Sequence, residues 1–290
     1  MRRLVASLIV LGAAIAASAA GASQVIGTSA VSDVRLGVND SGEAMLSYTA
    51  DGKAVDVLAS GAVNAVAPTP GGKQVAFRLA YHGATATGRT FSCPTYDGPP
   101  LADVIAACKA PDGSYWAVQS WDRDLPSYGV YPTRAQAQLE LDLSHWTGAL
   151  PVLEAHADWE YGGRWNHLWG TYTYNGSGVF GFRSTAAGVP LDSFGRNVYL
   201  DTYDSAYGPG WKRLNSLVTH GPAGSWCYSV SPHGSHPAGT GSAYRLTILG
   251  PGVAPDVSVT VRAPGRYNKA AQSPDNAALL ALKDPDCSPH

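Results

Sequence analysis

No Gly-x-Ser-x-Gly elbow, no His-Glu-x-x-His pair and no Gly-x-x-x-x-Gly-Lys-Ser/Thr loop occurs in this chain. The motif-borne forms of serine hydrolysis, zinc peptidase chemistry and nucleotide binding are therefore missing. A Ser-His-Asp set assembled from scattered residues stays open. Charge is also scarce: Asp, Glu, Lys and Arg make up 14% of 290 residues, with a formal net charge of −2. After Arg2-Arg3, the only basic doublet is Lys212-Arg213. Nucleic acid needs a concentrated positive footprint, so it is excluded as a partner. Cysteine is limited to four residues, none in a Cys-x-x-Cys spacing, which argues against redox and zinc-knuckle chemistry. Past the first twenty-odd residues no apolar run is long enough to span a bilayer.

What is present begins with a leader. Arg2-Arg3 precedes an uncharged apolar stretch from Leu4 to Ala20, then small residues in Ala17-Ser18-Ala19 and Ala20-Gly21-Ala22. This is the layout of a secretory signal peptide over residues 1–22, with an uncleaved membrane anchor as the alternative. The twin-arginine route is disfavoured because no fuller motif surrounds the pair. Export implies an oxidising compartment, so two disulfides are expected. Of three possible pairings, Cys93–Cys108 and Cys227–Cys287 are preferred: the first closes a local loop and the second ties down the C-terminal segment.

With 33 glycines and 20 prolines, the chain favours turns and short strands over long helices. Strand patterns recur at 43–49, 54–59, 74–81, 114–121, 137–143, 152–161, 168–174, 198–203, 225–230, 243–249 and 257–262. Asp51-Gly52 and Asn175-Gly176 are hairpin signals. The predicted class is all-β, an antiparallel sandwich or barrel-like set of sheets. Residues 101–109 are predicted as a short internal helix, and 274–283 as a C-terminal helix capped by Ser273. In that helix Leu279, Leu280 and Leu282 would seal the sheet. A compositional shift sets the expected boundary between an N-terminal meander (23–132) and a C-terminal sandwich (133–290).

Four constellations carry chemistry. Period two puts Glu154, His156, Asp158 and Glu160 on one strand face, opposite Leu153, Ala155, Ala157, Trp159 and Tyr161. Asp158 and Glu160, tuned by His156, would be the carboxylate pair of a polysaccharide hydrolase; a solvated outer face is the plainer reading and the one preferred. Aromatics are dense, and Trp165 and Trp211 fall in Gly-rich turns where rings can stack on sugars, with Arg164 and Asp204 as hydrogen-bonding neighbours. His220, His233 and His236 form a candidate metal set, against which stands a simple loop. Asp192, Asp201 and Asp204 near Asn197 form a candidate calcium loop without EF-hand spacing.

The segments Tyr199-Leu200-Asp201-Thr202, Gly210-Trp211-Lys212-Arg213, Thr219-His220-Gly221-Pro222, Trp226-Cys227-Tyr228 and Gly250-Pro251-Gly252-Val253 resemble stretches in secreted actinobacterial proteins of unassigned function. The resemblance covers about half of the residues after the leader. It implies an exported protein from such a bacterium and carries over no catalytic residues. The expectation is a secreted, non-catalytic β-rich protein of the envelope or extracellular space. It would bind a cell-wall glycan or extracellular polysaccharide through Trp165, Trp211, Arg164 and Asp204 and need no cofactor; a polysaccharide hydrolase is the alternative.

Overall fold

The computed structural model describes residues 24–27, 31–61, 77–81, 88–123, 138–180, 197–232, 234, 236–248 and 254–290. The leader, the stretch 124–137, Asp192 and His233 lie outside them. In chain order the strands are β1 (Gln24–Gly27), β2 (Val31–Val38), β3 (Ala44–Ala50), β4 (Lys53–Gly61), β5 (Phe77–Tyr81), β6 (Val104–Lys109), β7 (Tyr115–Arg123), β8 (Gln138–Trp146) and β9 (Val152–Leu153). They continue as β10 (His156–Glu160), β11 (Trp165–Tyr174), β12 (Ser177–Gly178), β13 (Asn197–Ser205), β14 (Gly208–Val218), β15 (Ser225–Val230), β16 (Ala243–Ile248) and β17 (Val257–Arg262). Helix α1 (Lys269–Ala281) follows.

The described strands pair antiparallel in four sheets, confirming the all-β class. One sheet runs β1-β8-β7-β6 and another β2-β3-β4-β5. Their inner faces share a core that includes Ile26, Trp116, Val118, Leu141 and Leu143 from the first and Leu36, Leu46, Tyr48 and Val57 from the second. Strand β3 shows the cause in its sequence: Ala44, Leu46 and Tyr48 alternate with less buried residues. A third sheet is centred on β11, with β9 and β10 paired to it, and β15 and β12 as its other partners. The fourth runs β14-β13-β16-β17. These two enclose a second core, with Leu168, Tyr172 and Trp226 against Leu200, Tyr244 and Leu246.

The expected boundary at 132/133 shifts. Strand β8 lies beyond it, yet pairs with β7 and β1 and supplies Leu141 and Leu143 to the first core. The two sandwiches meet through polar groups. Gln119 donates from Nε2 to the Asp256 carbonyl (3.0 Å) and accepts from the Asp256 amide (2.9 Å).

The hairpin signals form as read. Asp51 and Gly52 have φ of 50° and 74°, Asn175 and Gly176 of 50° and 73°, so both central positions of each turn are left-handed. The internal helix expected at 101–109 does not form: Val104–Lys109 is strand β6, hydrogen-bonded to β7. Pairing with β7 and the crosslink at Cys108 override local helical preference. Helix α1 begins five residues before the expected start at 274. Asn268, rather than Ser273, accepts from the amides of Ala270 and Ala271, and Pro274 lies inside the helix. Leu279 is fully buried as expected, whereas Leu280 points outward at 60% exposure. Among the described residues no helix is long and apolar enough to cross a membrane.

Both expected disulfides are present, Cys93–Cys108 and Cys227–Cys287. The second joins β15 to the segment after α1 across 60 residues. Replacing Cys227 and Cys287 with Ser is expected to cost about 4 kcal/mol by the chain-entropy argument, read as a lowered urea midpoint. An unchanged midpoint would show that the segment is held without its crosslink.

Candidate functional site

The acidic strand is a solvated face only in part: Glu154 and His156 are exposed, Asp158 and Glu160 are not. Asp158 is 0% and Glu160 2% exposed. On β10 these residues do share a face, as period two requires, but that face is covered. Helix α1 and the segment following it pack over the outer side of the β11 sheet, where Trp169, Leu279, Cys287, Cys227 and Leu282 form a small third cluster. The acidic run is also broken, since β9 and β10 pair with β11 on either side of Glu154-Ala155. Gly170 allows this: a Cβ there would lie 1.8 Å from the Glu154 carbonyl oxygen.

Register assembles the site. Asp158 pairs with His167 on β11, and His167 with Ser229 on β15, so all three occupy one rung of the outer face. Glu160 pairs with Trp165 in the same way. His167 Nδ1 lies 2.9 Å from Asp158 Oδ1, and Trp169 Nε1 donates to Asp158 Oδ2 at 3.2 Å. Both oxygens of Asp158 are therefore engaged. His167 Nε2 faces Glu160 Oε1 at 3.6 Å, beyond hydrogen-bonding range. Glu160 Oε2 is buried without a partner. Both imidazole nitrogens face carboxylates on β10, which leaves Ser229 without the base that a nucleophilic serine requires.

Glu160 and His167 open on a cavity of about 230 Å³, whose far wall is the Cys227–Cys287 crosslink with Asp286, Ser288 and His290. Among the described residues no Lys or Arg lines it. At its edge the Tyr161 amide donates to the His290 carbonyl (2.9 Å), and the Tyr161 ring lies parallel to the His290 ring. Trp165 meets Tyr161 edge-on, with centroids 4.6 Å apart. Tyr161 is 49% exposed, and the aromatic pair meets the cavity through the His290 ring rather than lining it.

The other sequence candidates separate. Arg164 is exposed in the turn after Glu160, whose carbonyl accepts from its amide (3.1 Å). Trp211 lies on β14 against Tyr203, with the Arg245 guanidinium 4.7 Å over its ring. Asp204 sits at a register shift near the end of β13, and its Oδ1 accepts from the Gly210 amide at 2.7 Å. Asp201 is buried between Arg213 and Arg245, so its carboxylate serves an ion-pair network rather than a calcium loop. His156 is exposed and stacks on Trp169, at 4.2 Å between centroids.

Among the described residues, the ligand-type groups gathered around His220 are Asp284, Asp286 and the two crosslinked cysteines rather than His236. Its Nδ1 is 2.7 Å from Asp284 Oδ2, which also accepts from Ser225 Oγ, while Asp284 Oδ1 accepts from the Asp286 amide (3.0 Å). Asp284 is thus saturated and works as a clamp on the C-terminal segment.

The strand pattern expected from sequence begins at 168, whereas β11 begins at Trp165 and so includes His167. Its signal is the alternation Trp165, His167, Trp169, which places it beside the acids. Comparison with models of known families, with curated proteins and with solved structures returns no match.

Burial, and then the neighbouring Asp158 charge, raise the Asp275 carboxyl on α1 above its ordinary 3.8, while His156 pulls it back. A raised folded value means that this group's stabilising contribution is complete below pH 3.8 and is lost as pH rises through the folded value. Asp275→Asn is therefore expected to raise the urea midpoint at pH 7, with the gain disappearing near pH 3. A midpoint at or below wild type at pH 7 would contradict this.

Proposed function

We propose that this is an exported, non-catalytic protein of the cell envelope or extracellular space that binds one sugar unit of a glycan in the cavity beneath its C-terminal segment. The observation that carries the reading is Glu160, a cavity-lining residue with one buried carboxylate oxygen that has no partner, close to the aromatic pair Tyr161 and Trp165, which meets the cavity through His290. Sugar hydroxyls donate to such an acceptor, and the C–H face of the ring packs on aromatic rings. A volume of about 230 Å³ suits one ring or a chain end rather than a run of units. With acidic groups and, among the described residues, no Lys or Arg in the lining, a neutral or amino sugar fits better than an anionic one. The leader, the two disulfides and the likeness to secreted actinobacterial proteins support the compartment.

Binding is favoured over hydrolysis by the Asp158–Glu160 pair because Asp158 has both oxygens engaged and does not line the cavity. A glycosidase needs two available carboxyl groups. Incubation with bacterial sacculi and a polysaccharide panel tests this. Wild type is expected to be depleted from solution, with at least tenfold weaker retention for Glu160→Gln and for Tyr161→Ala with Trp165→Ala, and unchanged retention for Trp211→Ala. New reducing ends would turn the reading to a hydrolase, and no depletion by any glycan would end it.

A further inference from the structure

We propose that the Cys227–Cys287 crosslink is a thiol-exchange site, opened by a small dithiol that attacks Cys227 while His220 passes a proton to the departing Cys287 sulfur. His220 Nε2 stands 3.7 Å from Cys287 Sγ, within hydrogen-bonding range of a sulfur. On the other side of the ring, Nδ1 is 2.7 Å from Asp284 Oδ2. Carboxylate, imidazole and sulfur therefore follow one another through direct contacts, the order in which a cysteine nucleophile is served by its base. The Cys-x-x-Cys spacing of redox motifs is absent from the chain; here folding gathers the parts from β15, the turn at His220 and the C-terminal segment.

The surroundings assign the roles. Cys287 is 2% exposed, whereas Cys227 is half-buried. Both residues line the cavity, which gives a small thiol a path to Cys227. His220 is held from two sides: its amide donates to the Ser225 carbonyl (2.7 Å), and Asp284 is itself fixed by Ser225 Oγ and the Asp286 amide. Exchange is fast when the leaving sulfur departs easily as a thiolate, and Cys287 has an imidazole to receive it. The external thiolate bonds to Cys227 Sγ, the S–S bond breaks, and its electron pair stays on Cys287 Sγ, which takes the proton from His220 Nε2. The second thiol of the reductant then attacks the sulfur bonded to Cys227, closes its own disulfide and expels Cys227 as a thiolate. Two electrons pass from the dithiol to the crosslink, and the two protons it gives up to solvent are returned through His220 and water. The other crosslink lacks these parts: among the described residues, the polar contacts of the Cys93 and Cys108 sulfurs are the carbonyls of Ala107 and Leu36.

Exchange needs the cavity only as an entry path, so it stands or falls independently of sugar binding. Oxidised full chain without denaturant is treated with dithiothreitol, quenched at intervals by alkylation and mapped by mass spectrometry. By exposure alone Cys93–Cys108 opens first, because Cys93 is exposed. Assistance by His220 reverses that order, with Cys227–Cys287 expected to open about tenfold faster. His220→Gln is expected to slow this opening by about tenfold or more and to leave Cys93–Cys108 unchanged. The sign separates chemistry from structure: if His220 only clamped the segment, its loss would loosen the crosslink and speed reduction. A small monothiol in place of the dithiol is expected to be captured on Cys227 rather than on Cys287, a readout on the wild-type chain that survives if the variant does not fold. Cys93–Cys108 opening first, equal or faster opening in His220→Gln, or adducts on Cys287 would overturn the site.

Discussion

Burying a carboxylate is costly unless its oxygens find donors, and Asp158 finds two. The His167 imidazole takes one oxygen and the Trp169 indole the other. That pair can exist only because the outer face of the β11 sheet is roofed over. The roof is α1 and the segment behind it, fastened by Cys227–Cys287, by the His220–Asp284–Ser225 clamp and by the Tyr161 amide on the His290 carbonyl. Remove the roof and water reaches Asp158 and His167; keep it and Glu160 remains as the one member of the group with an unanswered oxygen. Cavity, acid cluster and the approach of the aromatic pair are thus consequences of a single covering segment.

The same dependence explains what a reader of the residues alone can and cannot extract. Local chemistry is legible: Asp51-Gly52 and Asn175-Gly176 need left-handed backbone and adopt it, and export logic pairs the cysteines as found. Period two correctly puts Asp158 and Glu160 on one face of a strand. Which face is covered is a different matter, because the cover arrives from residues 269–290, more than a hundred positions later. Alternation also has no means of revealing that His167 stands opposite Asp158, since register between β10 and β11 is set by the turn at Tyr161–Arg164 and by core burial of Leu168. Strand β6 carries a helical pattern in its sequence for the same reason, its pairing with β7 being tertiary information.

The aromatic residues divide along similar lines. Trp165 and Trp211 look alike in sequence, each in a Gly-rich context. One ends up near an acidic cavity, while the other is capped by Arg245, which is itself anchored by buried Asp201. Their different surroundings come from the strands they border rather than from their flanking turns.

The reciprocal bonds between Gln119 and Asp256 join two sandwiches whose apolar cores are otherwise separate. Gln119 is 1% exposed, so parting the halves would strand its amide and the Asp256 backbone groups together. Each half therefore loses something when the other melts. The chain should behave under denaturant as one cooperative body rather than as beads that open in turn, although β-pairing within each half is complete without its neighbour.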